Sequence, residues 1–181
     1  MKDRTKLWIA ENMQELMKHQ SIDRIRVSEI CRMAEIERST FYYHFKDKYE
    51  LVAWIFFQSA FTVNAISFDD AVNAMKNMKN EILFYRRAYE DTSQNALWQY
   101  MLEYFAQEYS RIAMEKLQTD VIDTQLLFSI RLYCYGAVVM TKEWVLNDNV
   151  TSAEAIVEMM FRSMPERLQK IYFGEEFLNQ I

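Results

Sequence analysis

Two glycines and one proline are all that this chain of 181 residues offers for making turns. Sheets need both residues at their many reversals, whereas helix interiors exclude them. The scarcity therefore predicts an all-α fold. Hydrophobic residues at 51% and aromatics at 15% supply ample apolar surface for a core. No uninterrupted apolar run approaches the ~20 residues that span a bilayer. Residues 51–61 are apolar but too few, and the N-terminal residues are broken by charges rather than built as a signal core. A cytoplasmic location without membrane contact is expected. Cys31 and Cys134 stand far apart, with no CxxC and no Cys/His cluster, so neither a metal site nor a cofactor is expected.

Periodicity divides the chain. Residues 3–19 place Leu7, Ile9, Ala10, Met13, Leu16 and Met17 on one helix face, with Glu11, Asn12, Glu15 and Lys18 opposite. Residues 27–34 and 38–44 read as short helices around a turn at Glu35-Ile36-Glu37. Longer helices are predicted over 48–66, 70–90, 94–117, 120–146 and 152–163, then a short one opened by Pro165 and stopped by Gly174. Ser67 is an expected N-cap, Asp91-Thr92-Ser93 a cap-like break, and Asn147-Asp148-Asn149 a polar turn. Thr151-Ser152-Ala153-Glu154 has the form of a capping box. The organisation expected is a head, residues 1–50, and a body, residues 51–181, sharing the helix that starts at Lys48. Charge follows the same division. Residues 1–50 hold ten Lys/Arg against nine Asp/Glu, so the remainder carries −6 of a total of −5. A mildly basic head on an acidic body permits nucleic-acid binding by the head alone.

The most informative stretch is residues 27–51. Val27, Ile30, Cys31 and Ala34 form an apolar edge, and Ile36 can plug the turn. Phe41 and Phe45, spaced i, i+4, share one helix face and belong to the core. Arg38, Ser39, Thr40, Tyr43 and His44 are thereby turned outward, a set of donors and acceptors suited to phosphates and base edges. In these residues the chain resembles the TetR/AcrR family of regulators. Its DNA-binding head ends in a pattern close to T-V-x-x-I-A-x-x-A-G-V-S-x-G-T-L-Y-x-H-F-x-x-K-x-x-L. Val27, Ile30, Ala34, Thr40, Tyr42, His44, Phe45, Lys48 and Leu51 match it. Further on, Tyr133-Cys134-Tyr135-Gly136 through Trp144, followed by residues 151–154, resembles a C-terminal region of Gram-positive members. Some of those regulate dihydroxyacetone kinase genes.

The resemblance implies a three-helix, helix-turn-helix head joined to a larger helical body that binds ligand and dimerises. It implies a homodimer on double-stranded operator DNA, and repression relieved by a small apolar or aromatic effector. Arg38, Ser39, Thr40 and Tyr43 would face the major groove. Tyr42, His44 and Lys48 would hold phosphates, Lys48 together with free amides at its helix start. Arg26 and Ser28 complete the DNA-binding set. Two residues depart from the pattern. Glu35 stands where the turn has Gly, so a positive φ there would be strained. Glu37 stands where Ser or Asn caps the recognition helix. It repels phosphates, yet it can accept from cytosine N4 or favour the helix dipole. The departures open a second reading, a regulator or coactivator acting through a protein partner with weak or no DNA binding.

In the body, Trp98, Met101, Phe105, Tyr133 and Trp144 either line an effector pocket or fill the core. Arg86-Arg87 meets either an anion or solvent. Gly136 inside a helix implies a close helix–helix contact, across a dimer seam or within one subunit. A four-helix seam between copies is expected from helices 120–146 and 152–163. Its residues are Leu126, Ile130, Tyr133, Ala137, Thr141, Ile156, Met159 and Met160. The chain has no glycine-rich phosphate loop, no G-x-S-x-G and no H-E-x-x-H, so no enzymatic activity is expected.

Overall fold

The computed structural model describes residues 2–60, 67–90, 97–147 and 150–174. Among them are ten α-helices and no strand: α1 (Lys2–Met17), α2 (Val27–Met33), α3 (Arg38–His44), α4 (Lys48–Ala60), α5 (Phe68–Asn80), α6 (Ile82–Glu90), α7 (Leu97–Leu117), α8 (Thr124–Asn147), α9 (Ala153–Arg162) and α10 (Glu166–Phe173). The fold is all-α, as the scarcity of Gly and Pro predicted. The break at Asp91-Thr92-Ser93, the turn residues Asp148 and Asn149, and the helical expectation for residues 61–66 lie outside the described residues.

Where boundaries depart from the periodicity, local bonds explain them. The helix expected over 70–90 is two, because the backbone at Glu81 (φ −107, ψ 35) leaves the helical region. Ser67 caps α5 as expected, its Oγ accepting from the Asp70 amide at 3.3 Å. α8 begins at Thr124 rather than near 120. The chain leaves α7 through Gln118, at φ 53, and the Asp123 carboxylate then accepts from the Leu126 amide at 2.8 Å. α9 is capped by Ser152, not Thr151: Ser152 Oγ accepts from the Ala155 amide at 3.1 Å. The Thr151 carbonyl is occupied by Lys79 Nζ at 2.8 Å and Trp144 Nε1 at 3.1 Å. Gly174, at φ 86, ends α10.

One continuous core runs from head to body. Ile9 and Met13 of α1, Ile30 of α2, and Phe41 of α3 are buried with Leu51, Val52, Ile55 and Phe56 of α4. The same cluster continues through Met75 and Met78 of α5 and Tyr85 and Tyr89 of α6. Each such side chain contributes roughly 1.5–3 kcal/mol by leaving water. A second cluster joins α7, α8 and α10 through Tyr109, Leu126, Ile130, Cys134, Leu168 and Tyr172. On α1 the polar–apolar division differs at two positions: Leu7 is exposed, and Asn12 is buried with its amide donating to Trp8 O at 2.8 Å.

Arg86 and Arg87 both reach backbone carbonyls near helix ends. Arg87 donates to Met17 O at the end of α1, and Arg86 Nε donates to Val145 O at 3.1 Å in the last turn of α8. Both guanidinium groups serve helix C-termini, whose last carbonyls lack partners within the helix.

The expected dimer seam needs correction. Leu126, Ile130 and Thr141 lie on the face of α8 that packs inside its own protomer, and Ile156 of α9 is buried as well. Leu126, Ile130 and Thr141 have no surface left for a second copy, whereas Ile156 lines a surface groove beside Met159. Tyr133, Ala137 and Met160 are half-buried, and only Met159 is exposed. The opposite face of α8 carries Phe128 (67% exposed), Leu132 (60% exposed), Tyr135, Val139 and Met140. Because α8 is apolar all round, its periodicity could not tell the inner face from the outer.

Glu35 sits at φ 52, the left-handed region that glycine occupies without a Cβ penalty. Glu35→Gly should stabilise the protein by about 1 kcal/mol, read as a rise in Tm of roughly 2–4 °C for a chain of this size. Burial pushes the Cys134 thiol up to about 12, which leaves almost no thiolate at neutral pH. Iodoacetamide at pH 8 should modify Cys134 only after unfolding, as followed by intact mass.

Candidate nucleic-acid interface

The interface is built on the aromatic anchor of α3. Phe41 and Phe45 are buried, their ring centroids 6.0 Å apart, and Phe45 meets Trp54 of α4 at 5.7 Å. With those two side chains turned inward, Arg38, Ser39, Tyr42 and Tyr43 are exposed and Thr40 and His44 half-buried. Tyr43 is 65% exposed, too open to water for a ring that fills a core. Arg38 donates to the Tyr42 hydroxyl at 3.4 Å and lies 5.9 Å from its ring.

The start of α4 is arranged differently from the expectation. Asp47 Oδ1 accepts from the amides of Tyr49 at 2.9 Å and Glu50 at 2.8 Å, and Lys46 N donates to the Glu50 carboxylate. Amides that were expected to meet a phosphate thus serve the protein's own cap. Lys48 Nζ donates to Asp23 O at 3.0 Å and Ile25 O at 2.8 Å. It fastens to α4 the loop that presents Arg24 and Arg26.

These elements enclose an open surface groove of about 660 Å³ at the N-terminal ends of α2 and α4. Its walls bring together Arg26, Ser28, Arg38, Tyr42 and Lys48, all singled out from the sequence. Ser39, Thr40, Tyr43 and His44 lie outside it, farther around α3. Arg24 and Tyr49 line the groove and were not anticipated; Arg24 was legible as a cation two residues before Arg26. The facing charges are Arg24, Arg26, Arg38 and Lys48 against Asp23 and Asp47, and Asp47 is committed to its cap. A concave patch with a positive balance on an acidic protein suits a phosphodiester backbone. Glu37 precedes α3 at φ −72, ψ 150 and makes no side-chain cap bond.

The body contains a cavity of about 60 Å³ between α5, α7, α8 and α9. Met101, Phe105 and Tyr133 line it, as do Met75, Met78, Tyr109, Cys134 and Met160. Trp98 and Trp144 do not. Trp98 packs between the two core clusters, and Trp144 is buried with Lys79 Nζ 5.0 Å from its ring. Among the described residues, none that lines the cavity is charged. Two of its hydroxyls are already engaged, Tyr133 to Met160 O at 3.2 Å and Thr141 to Ala137 O at 2.8 Å. One wall connects to α6, where the Tyr89 hydroxyl donates to Met101 Sδ at 2.8 Å.

Gly136 is exposed, and a Cβ built on it would meet nothing within 4 Å. Packing within one subunit therefore does not require a glycine there. It lines a second, apolar groove of about 330 Å³ with Leu132, Met140 and Met159. Among the described residues, no group of three His, Cys, Asp or Glu could hold a metal ion, and no helix is long and apolar enough to cross a membrane.

Comparison with known proteins finds matches in two parts of the chain. Residues 14–55 match the family described as bacterial regulatory proteins, tetR family. Residues 68–166 match the family described as transcriptional regulator C-terminal region. The HTH-type dhaKLM operon transcriptional activator DhaS of Lactococcus lactis is 42% identical over 48 residues, 26% of this chain and 26% of that protein. The alignment thus spans about a quarter of that relative's length. A solved structure, the dihydroxyacetone kinase operon activator DhaS, superposes with a TM-score of 0.62 at 20% identity, covering 91% of this chain and 96% of that one. That likeness is one of fold. With both its head and more than half its length matched, the chain belongs to the TetR family of bacterial transcription regulators.

Proposed function

We propose that the chain works in the cytoplasm as a homodimeric regulator that grips double-stranded operator DNA with a head of residues 1–50. A body of residues 51–181 dimerises and sets the spacing of the two heads. One observation carries the DNA-binding reading: Arg26, Ser28, Arg38, Tyr42 and Lys48, drawn from α2 and its N-cap, α3 and α4, line one groove beside α3. The groove takes the phosphate backbone, which positions the head, and Ser39, Thr40, Tyr43 and His44 on α3 face base edges. Lys48 adds its charge to the groove while holding the loop that carries Arg24 and Arg26.

The outer face of α8 supports the dimer. Phe128, Leu132, Tyr135, Val139 and Met140, with Met159 of α9, form an apolar surface that a second copy would cover by twofold symmetry. Gly136 then lets two α8 helices approach closely at its centre. For control, a small uncharged apolar molecule in the methionine-rich cavity would press on Met101 and through Tyr89 on α6. Arg87 of α6 holds the end of α1, so a shift of α6 reaches the head. Such a ligand acts by favouring one head spacing over another.

Repression relieved by ligand is the direction that the resemblance implies. The two relatives are named as activators, and the same head contacts serve either sign. A promoter fusion, measured with and without the regulator, decides between them. The small cavity favours a second reading, control by a protein partner, since drug-sized ligands occupy roughly 300–1,000 Å³. A chain that retains no salt-dependent affinity for DNA would establish that second reading against the first.

With DNA selected by the protein from a random pool, Arg26→Ala should weaken binding to selected and random DNA alike. The salt slope should fall by about one unit per subunit contact. Tyr43→Ala should cost the selected site ~1–3 kcal/mol and spare random DNA. For assembly, sedimentation should show a dimer at micromolar concentration, and Leu132→Glu should convert it to a folded monomer.

A further inference from the structure

The recognition helix is only as well aimed as the turn in front of it. α2 ends at Ala34 (φ −80, ψ −2), and the backbone enters the left-handed region at Glu35 (φ 52). Two bonds close the turn: Ile36 N donates to Cys31 O at 3.0 Å, and Glu35 N to Arg32 O at 3.4 Å. This is the pairing that normally accompanies a glycine. Here a glutamate holds the strained position, so the turn needs support from elsewhere.

That support comes from α1. The Trp8 indole N–H donates to Ala34 O at 2.9 Å, across 26 residues of sequence. The Ala34 carbonyl has run out of helix to bond to, and the indole supplies its donor. Trp8 is not a core filler. It is 49% exposed, while Ile9, Ala10 and Met13 of the same helix occupy the core. Its own carbonyl is held by Asn12, a buried polar residue. The C-terminal end of the same helix is held by Arg87 of α6 at Met17 O. Trp8 and Met17 are nine residues apart, about 14 Å of helix at the usual rise.

We propose that Trp8 is a positioning residue for DNA binding: its indole N–H holds the Ala34 carbonyl, fixes the α2–α3 turn, and so sets the angle of the recognition helix. α1 then links the body, at Arg87, to the turn, at Trp8. The proposal rests on the DNA-binding reading, and the test separates the two.

Trp8→Phe keeps an aromatic ring and removes only the donor and one ring. Amide hydrogen exchange of residues 34–41 in the free protein reports on the turn without DNA. Affinity for DNA selected by the wild-type protein, and for random DNA, reports on aim and on charge respectively. In Trp8→Phe the Ile36 amide should exchange faster. Affinity for selected DNA should fall about fivefold, the worth of one neutral hydrogen bond, with random DNA unaffected. Adding Glu35→Gly, which relaxes the turn, should restore most of the loss in selected-site affinity and slow Ile36 exchange again. Unchanged exchange overturns the proposal. So does faster exchange with unchanged selected-site affinity, or an equal fall on selected and random DNA. A wild-type protein that selects no DNA overturns the DNA-binding reading instead; the proposal falls with it, even if exchange at Ile36 responds.

Discussion

Head and body are both referred to α4, because its buried face belongs to the two at once. Leu51, Val52, Ile55 and Phe56 pack in one continuous core with Phe41 and Phe45 of the head and Tyr85 and Tyr89 of α6. Phe56 meets Tyr85 at 5.7 Å, and Phe45 meets Trp54 at 5.7 Å. A helix packed on both sides cannot rotate freely with respect to either, since close-packed interiors yield only in discrete steps. The head is therefore held on the body by a core, not suspended from it by a tether. Small displacements of the body have a rigid route to the recognition helix.

The polar interactions repeat one device. Helix ends leave carbonyls without partners, and in this protein a side chain from a distant helix supplies the donor. Arg87 serves α1, Arg86 serves α8, Trp8 serves α2, and Lys48 serves the loop between α1 and α2. Each such bond ties two elements far apart in sequence. With little Gly available for C-caps, and Glu35 and Gln118 in left-handed positions, long side chains take over part of the capping. The ion pairs contribute less to shape. Lys76–Glu154 and Arg167–Asp123 are half in water, where such pairs are worth little.

Charge explains why an acidic protein can still offer a surface to DNA. The groove gathers Arg24, Arg26, Arg38 and Lys48, while Asp47, the nearest carboxylate of α4, is spent on the first-turn amides of its own helix. Local balance, not total charge, decides where a polyanion is attracted. Glu35 and Glu37 temper that attraction along the turn and the front of α3.

By itself the sequence determined the helical class, the head with its inward Phe41 and Phe45, and the outward set on α3. Those features rest on local rules: the cost of Gly and Pro in helices, the i, i+4 spacing, and a long ordered motif. It also located Ser67 as a cap and Glu35 as the strained position, because each depends only on near neighbours. Tertiary structure decided the rest. α8 is apolar all round, so only its packing against α7 and α6 could show that Leu126, Ile130 and Thr141 point inward and Phe128 and Leu132 outward. Trp98 and Trp144 looked as suitable for a cavity as Met101 and Phe105, yet they are engaged elsewhere. Arg86, Arg87, Trp8 and Lys48 find partners tens of residues away, and no periodicity encodes which carbonyl a long side chain will reach. Faces are written in local sequence; which of two apolar faces is covered, and by what, is settled only when the helices meet.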